Sequence, residues 1–363
     1  MTYARARLWL GISNVGFWVL ISTMGLLFHW EAFFYNQTTG ELIINCLALY
    51  LLFSFPFDIM GGYILPHRFN KQKESFKHWF LDWFKGALSQ ATILGMSSYG
   101  LLMVFSFISL NPVRIALIVA LQILFATLQP AIAQWVGNFK VNSKHDSEDI
   151  WESRDIGFTG GITATGRSIF PQNWQSQFSQ DELNIIRSRR RVLKKHPMNI
   201  FGVINAITYN TTGAVIAFYS FQLSFNQASD WLTFMWVMTL WSFIGVLVLP
   251  SISQAAALTL DQLSKQFIDT SQSPAEHVLL KLDSLQDGEP SRHPWIQRIF
   301  HPTPSAHQRL QEMQANSPLN PFPSWHIARR ALYLSWPFMN LLNRAVHCNI
   351  GRPDLWVMLP CEG

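Results

Sequence analysis

The side chains best suited to hold a metal gather towards the end of the chain: His301, His307, His326, His347, Cys348 and Cys361. His347-Cys348 with Cys361 supplies three donors, but the spacing fits no closed zinc pattern. Ordinary polar and thiol residues in a folded tail are the preferred reading, so no metal and no cofactor is assigned. A second group is cationic. Arg187, Arg189, Arg190 and Arg191, followed by Lys194 and Lys195, could grip anionic headgroups or an acidic partner, or simply anchor a membrane-entering helix on its positive side. A third group is polar within apolar surroundings: Asp58, beside Gly61 and Gly62, and Asn205, Thr208, Tyr209 and Asn210. Such residues either line an intramembrane site for a lipid or other amphiphile or hydrogen-bond between helices, and helix-to-helix packing is preferred. Gly160-Gly161 and Gly166 lack the Lys-Ser/Thr of a phosphate-binding loop.

The elements that must position these residues follow from composition. The 363-residue chain is 49% hydrophobic and 14% aromatic but only 13% charged, whereas a water-soluble protein carries about 25% charged residues. That apolar content excludes a disordered chain, and three cysteines exclude a disulfide-built secreted domain. A mean hydropathy of +0.14 is modest for a protein wholly in lipid and argues for a chain divided between bilayer and water. About 20 apolar residues cross the hydrocarbon core, because backbone amides there must pair within the segment. Leu8–Trp30, Leu42–Leu65, Ala87–Leu110, Pro112–Val136, Met198–Leu223 and Trp231–Leu249 satisfy this, giving about six spans. The net charge of +5 follows the connections between them, so nucleic acid is not an expected partner.

Basic residues precede the first span (Arg5, Arg7), return after the second (Arg68, Lys71, Lys73, Lys77, Lys85), and precede the fifth. Their alternation implies an integral membrane protein with both termini cytoplasmic, the bacterial inner membrane being the favoured setting. Phe76, Trp79, Phe80, Trp83 and Phe84 share one helical face and predict an interfacial helix near 74–86, with Trp79 and Trp83 touching headgroups or a partner. The expected divisions are an N-terminal membrane region at 1–137, a cytoplasmic hairpin and helix at 138–197, a two-helix membrane hairpin at 198–250 and a cytoplasmic C-terminal region at 251–363. Within 138–197, the glycines of 157–166 among β-branched residues read as a hairpin, and Ser179-x-x-Glu182 reads as a helix N-cap. Ala255–Phe267 reads as an amphipathic helix, Ser271–Pro323 as mostly loop, and His326–Leu342 as an interfacial or core helix too short to span.

The order of these features is a Gly-Gly hairpin, a Ser-x-x-Glu-Leu helix start, two spans, a helix bearing Asp261, and His301-Pro302-x-Pro304-Ser305 before Arg309-Leu310. In this order the chain resembles the integral-membrane zinc metallopeptidases, the group of the CAAX prenyl protease and the bacterial heat-shock membrane protease. The resemblance implies an H-E-x-x-H motif on the helix that follows Ser179, at 189–193, and a glutamate four residues before Asp261. Here Arg189 and Leu193 stand at the histidine positions, Arg190 at the glutamate base and Ala257 at the third ligand. A guanidinium offers no lone pair to a cation at neutral pH. The implied architecture is mainly α, a polytopic membrane protein with about six transmembrane helices and a small cytoplasmic α+β metallopeptidase-like domain. The implied role is a degenerate, non-catalytic binding, scaffold or assembly subunit, meeting membrane lipids and another membrane protein or its own copies. A membrane enzyme or amphiphile carrier using the intramembrane polar residues, or a metallohydrolase with relocated ligands, are the alternatives.

Overall fold

The computed structural model describes every residue except 72–73, 145–147, 156, 266–271, 287, 289–291, 316–319, 345–347 and 360–363. Six helices are long and apolar enough to cross a membrane. The first, α1 (Tyr3–Leu27), begins where the Thr2 hydroxyl accepts the Arg5 amide at 3.3 Å. The second, α2 (Thr39–Ile59), begins at a full capping box between Thr38 and Glu41, then runs through a π-turn at Met60–Ile64 into the single turn α3 (Leu65–Arg68). After Ser75 caps it, α4 (Phe76–Phe107) is followed by α5 (Asn111–Gly137), and later by α8 (Met198–Ser220) and α9 (Asp230–Ser264).

Between the fourth and fifth spans lies a mixed sheet of four strands: β1 (Lys140–Lys144), β2 (Glu148–Glu152), β3 (Gly161–Ile162) and β4 (Ser168–Pro171), in the order β1-β2-β4-β3. β1 and β2 are antiparallel with a bulge between Val141 and Ser143, β2 and β4 run parallel, and β3 and β4 close the Gly-Gly hairpin, pairing Gly161 with Ile169. Gly160 takes φ +62, and a Cβ there would strike the Ile169 carbonyl, so both the turn and the close approach require glycine. One turn of helix, α6 (Trp174–Gln177), leads to α7 (Gln180–Lys195), which starts at the capping box of Ser179 and Glu182. The remaining helices are α10 (Gln272–Leu285), α11 (Pro294–Phe300), α12 (Ala306–Ala315) and α13 (Ile327–Leu334).

The chain forms two compact units. Unit 1 contains Met1–Phe125, Ile207–Ile244 and Ala331–Trp356; unit 2 contains Ala126–Ala206, Gly245–Arg330 and Val357–Gly363. Unit 2 has two apolar clusters. Phe170, Trp174 and Phe178 pack with Leu183 and Ile186 of α7 and Val278 and Leu282 of α10. Ile162 of β3 packs with Leu193 of α7 and Ala257 and Leu260 of α9.

Three expectations from the sequence are corrected. The aromatic segment at 74–86 is no separate interfacial helix: it forms the first turns of α4, and Trp79 and Trp83 face inward, 4% and 7% exposed. Indole N–H groups in apolar surroundings need acceptors. Trp83 Nε1 donates to Asp58 Oδ2 at 2.9 Å and Trp79 Nε1 to the Gly351 carbonyl at 3.1 Å. Phe76 and Phe84 of the same segment remain exposed, and Lys73 lies outside the described residues. The amphipathic run from Ala255 is the end of α9, not a helix of its own, Phe267 lying outside the described residues. The stretch expected as loop carries α10, α11 and α12.

Candidate functional site

The positions singled out on α7 and α9 meet inside unit 2. Counting from the Ser179 N-cap, Arg189 and Leu193 fall one turn apart on the buried face of α7, and Ala257 and Asp261 one turn apart on α9. Arg189 bonds the Oδ1 atom of Asp261, both side chains being essentially inaccessible. Arg309 of α12 reaches the same carboxylate twice, Nε to Oδ2 at 2.8 Å and Nη2 to Oδ1 at 2.9 Å. Asp261 is thereby clamped between two guanidiniums, the second in the bidentate geometry that suits Arg and carboxylate. One turn away, Leu193 and Ala257 lie in a common apolar cluster with Ile162 and Trp325.

Arg190 points the other way. Its guanidinium donates to the carbonyls of Ile169 (2.8 Å) and Thr159 (3.3 Å) and lies 3.9 Å from the centre of the Phe170 ring. It therefore ties α7 to the hairpin. The arginine run is not a uniformly solvated anchor, because Arg189 and Arg190 are buried and Arg187 pairs with Glu148 at 3.3 Å. Arg191, Lys194 and Lys195 are exposed.

Further charges surround the clamp. Arg292 bonds Asp283 of α10, a carboxyl that burial pushes above the usual carboxylate range despite the opposing fields of Arg292 and Arg309. At the start of α7, burial pushes the Glu182 carboxyl upwards. The Ser179 amide (2.7 Å) and Lys281 (3.3 Å) outweigh that and hold it below the ordinary value. Arg330, buried and hydrogen-bonded to Asn199, has its pKa lowered to about 9 by desolvation.

The zinc site implied by the resemblance finds no donors here. A guanidinium and two aliphatic side chains occupy its ligand positions, and a cluster that excludes water covers two of them. Among the described residues no group of three or more His, Cys, Asp and Glu could hold a metal ion. His347 and Cys361 of the C-terminal group lie outside the described residues. Cys348 is buried with its thiol on the Asn349 side-chain oxygen at 3.2 Å.

No family model and no curated protein sequence matches this chain. In structure it is similar to S. mikatae Ste24p, an integral-membrane zinc CAAX protease: TM-score 0.57, 13% identity, 86% of this chain and 99% of that one covered. The fold is Ste24-like. This chain is an integral membrane protein with six candidate spans, mainly helical with a small mixed sheet.

Of the intramembrane polar residues, Asp58, Asn205, Tyr209 and Asn210 each have a partner within their own unit. In unit 1, Asp58 pairs with Arg344 at 2.8 Å, and Asn210 donates to the Ala331 carbonyl at 2.9 Å. Tyr209 and Trp241 exchange side-chain-to-carbonyl bonds of 2.6 and 2.9 Å. In unit 2, Asn205 bonds Ser324 at 2.6 Å. Thr208 is exposed. Arg309 and Arg344 each hold a buried aspartate, yet the sequence alone assigns neither a role. The Pro-rich motif ahead of Arg309 was the available signal, whereas nothing local marks Arg344 as the partner of a residue 286 positions earlier.

Proposed function

We propose that this protein is a peptidase-like membrane protein without the peptidase centre, acting as a binding or assembly subunit. The observation that carries the reading is the clamp on Asp261: a guanidinium from the position of the first implied histidine fills the space beside the carboxylate. A hydrolase of this build would need a cation there to polarise a carbonyl and activate water. Arg189 carries a fixed positive charge but has no open coordination position, so it binds no water as a Lewis acid would. Leu193 and Ala257 close the remaining space. Arg190, at the position of the general base, presents N–H donors rather than an acceptor and is engaged with the Ile169 and Thr159 carbonyls. What remains is a rigid unit presenting Arg191, Lys194 and Lys195 to anionic headgroups or an acidic face of another membrane protein or a second copy.

The test combines chemistry with assembly. Protein purified from membranes is assayed for bound zinc and for cleavage of unstructured and prenylated CAAX peptides, with and without chelator. Cross-linking in intact membranes through Lys194 and Lys195 follows. The expected outcome is far less than one zinc per chain, no cleavage above protein-free vesicles, and a defined cross-linked species. Zinc-dependent cleavage overturns the non-catalytic reading; a strictly monomeric, uncross-linked protein overturns the assembly role.

A further inference from the structure

Irregular backbone at membrane depth is tolerated only where protein side chains satisfy it. Residues 331–356 belong to unit 1, yet beyond α13 the described residues among them form only 3-10 turns at Trp336–Phe338 and Pro353–Leu355, with Met339 and Gly351 at positive φ. Every residue from 331 to 344 is buried. The backbone groups of this segment are met by side chains of the apolar helices. From α1, Arg7 donates to the Ile350 carbonyl at 3.2 Å; from α2, Asp58 Oδ1 accepts the Gly351 amide at 2.8 Å. From α4, Ser98 donates to the Pro337 carbonyl at 3.2 Å; from α9, Thr239 accepts the Leu341 amide at 3.1 Å. At Gly62 the fit is close enough that a Cβ would strike the Gly351 carbonyl. These are contacts by which an interior recognises an irregular polypeptide through its main chain.

One side chain of the segment is anchored electrostatically. Arg344 bonds Asp58 at 2.8 Å and Gln90, and stacks 3.7 Å from the Trp356 ring; its neighbour Asn343 accepts from Tyr50 at 2.7 Å. We propose that residues 331–344 and 348–356 are a tethered stopper occupying a peptide-recognising interior of unit 1, latched by the Asp58–Arg344 pair. Released, that interior would accept another irregular polypeptide segment carrying a guanidinium; latched, it is closed. This goes beyond the non-catalytic reading, which concerns unit 2, and either can fail without the other.

The test uses Cys348 as a native reporter, in full-length Cys46→Ser/Cys361→Ser protein reconstituted in vesicles. A water-soluble maleimide should leave Cys348 unmodified in this parent. Asp58→Asn removes the latch charge and should speed modification by about 100-fold, the scale expected when one member of a buried ion pair is lost. If Asp58→Asn does not fold, Tyr50→Phe, which removes the hydroxyl that bonds Asn343 and leaves the Asp58–Arg344 pair in place, should give about tenfold. In a second arm, a protease site is inserted at the exposed Pro321-Phe322 step. After cleavage the C-terminal fragment should co-elute with the rest of the parent chain, and should separate from the Asp58→Asn or Tyr50→Phe chain at a lower denaturant concentration than from the parent. Rapid modification of Cys348 in the parent, loss of the fragment from the cut parent, or latch variants indistinguishable from it would each overturn the stopper.

Discussion

Removing the Asp261 charge should damage this protein more than removing either arginine that grips it. The carboxylate accepts three N–H bonds, one from Arg189 and two from Arg309, with all three side chains 3% exposed or less. A hydrogen bond to a charged group is worth about 1.5–3 kcal/mol, so Arg189→Met, which leaves the bidentate bond intact, should cost about 2 kcal/mol. Asp261→Asn withdraws the anion shared by two buried guanidiniums, a loss of about 3–5 kcal/mol. The triple change Arg189→Met/Asp261→Leu/Arg309→Met removes all three charges together and should lie within about 2 kcal/mol of the parent, or above it. Thermal unfolding of detergent-purified protein at one fixed scan rate, followed by tryptophan emission, reads the order. At about 2 °C per kcal/mol for a large chain, Asp261→Asn should melt roughly 6–10 °C lower and Arg189→Met about 4 °C lower. An Asp261→Asn protein that melts with the parent, or above Arg189→Met, refutes the clamp as the organising contact of unit 2.

Glu182→Gln should cost about 1 kcal/mol at neutral pH, since it weakens the bonds to the Ser179 amide and Lys281 that join α7 and α10. Because the folded state holds this carboxyl below its unfolded value of about 4.3, the wild-type advantage is present above that pH. It should fade as pH falls through the lower folded value, and paired melts from pH 7 to pH 3 check this. Arg189→His/Leu193→His/Ala257→Glu should take up about one zinc per chain by mass spectrometry of the metal, because the two α7 positions lie one turn apart facing α9. Failure to bind zinc in a folded triple variant would show that those positions do not converge on a common point. Gly62→Ala should abolish a monodisperse gel-filtration peak, since neither the Gly62 nor the Gly351 backbone can move aside. Strong chelators should leave the melting temperature of the unmodified protein within about 1 °C, whereas a metal-linked fold would lose several kcal/mol. A larger chelator-induced drop would expose a structural metal.

Much of this architecture is legible in the sequence because bilayer physics is coarse. An apolar run near 20 residues has few alternatives to a helix, and all six expected spans are long apolar helices. The Ser179 capping box and the glycine hairpin are equally local, and both occur where the residues indicate. The helical repeat from Ser179 also brings Arg189 to Asp261. What fails is whatever depends on partners distant in sequence. Trp79 and Trp83 have the spacing of an interfacial face. Their indoles point inward because Asp58 and Gly351 offer acceptors there, and Gly351 lies 272 residues from Trp79. The C-terminal stretch reads as an interfacial or core helix too short to span, and its burial in unit 1 depends on partners distant in sequence such as Asp58. The β1–β2 hairpin was passed over for a different reason: its strands are polar and lack the alternation of a half-buried sheet.

In the proposed reading, the clamp does the structural work of the metal that the resemblance implies at these positions. A metal bound between two helices is a cross-link as well as a chemical centre, and its ligands are held in place by the bond energy. Here the cross-link is ionic: Arg189 joins α7 to α9, and Arg309 joins α12 to the same carboxylate. Leu193 and Ala257 pack beside it in one buried apolar cluster. A guanidinium suits this task better than an ammonium, because its planar, weakly hydrated charge keeps several fixed donors after desolvation. The exchange is one-sided in chemistry. Cross-linking needs only a positive charge with directional donors, which Arg189 supplies, whereas hydrolysis needs an open position on a Lewis acid, which no side chain in the clamp can offer. Both units therefore rest on the same device, a buried arginine on an aspartate carried by a long apolar helix, Asp261 on α9 and Asp58 on α2. Removing either aspartate strands buried guanidinium charge, so each pairing fixes geometry more firmly than its net contribution to stability would suggest.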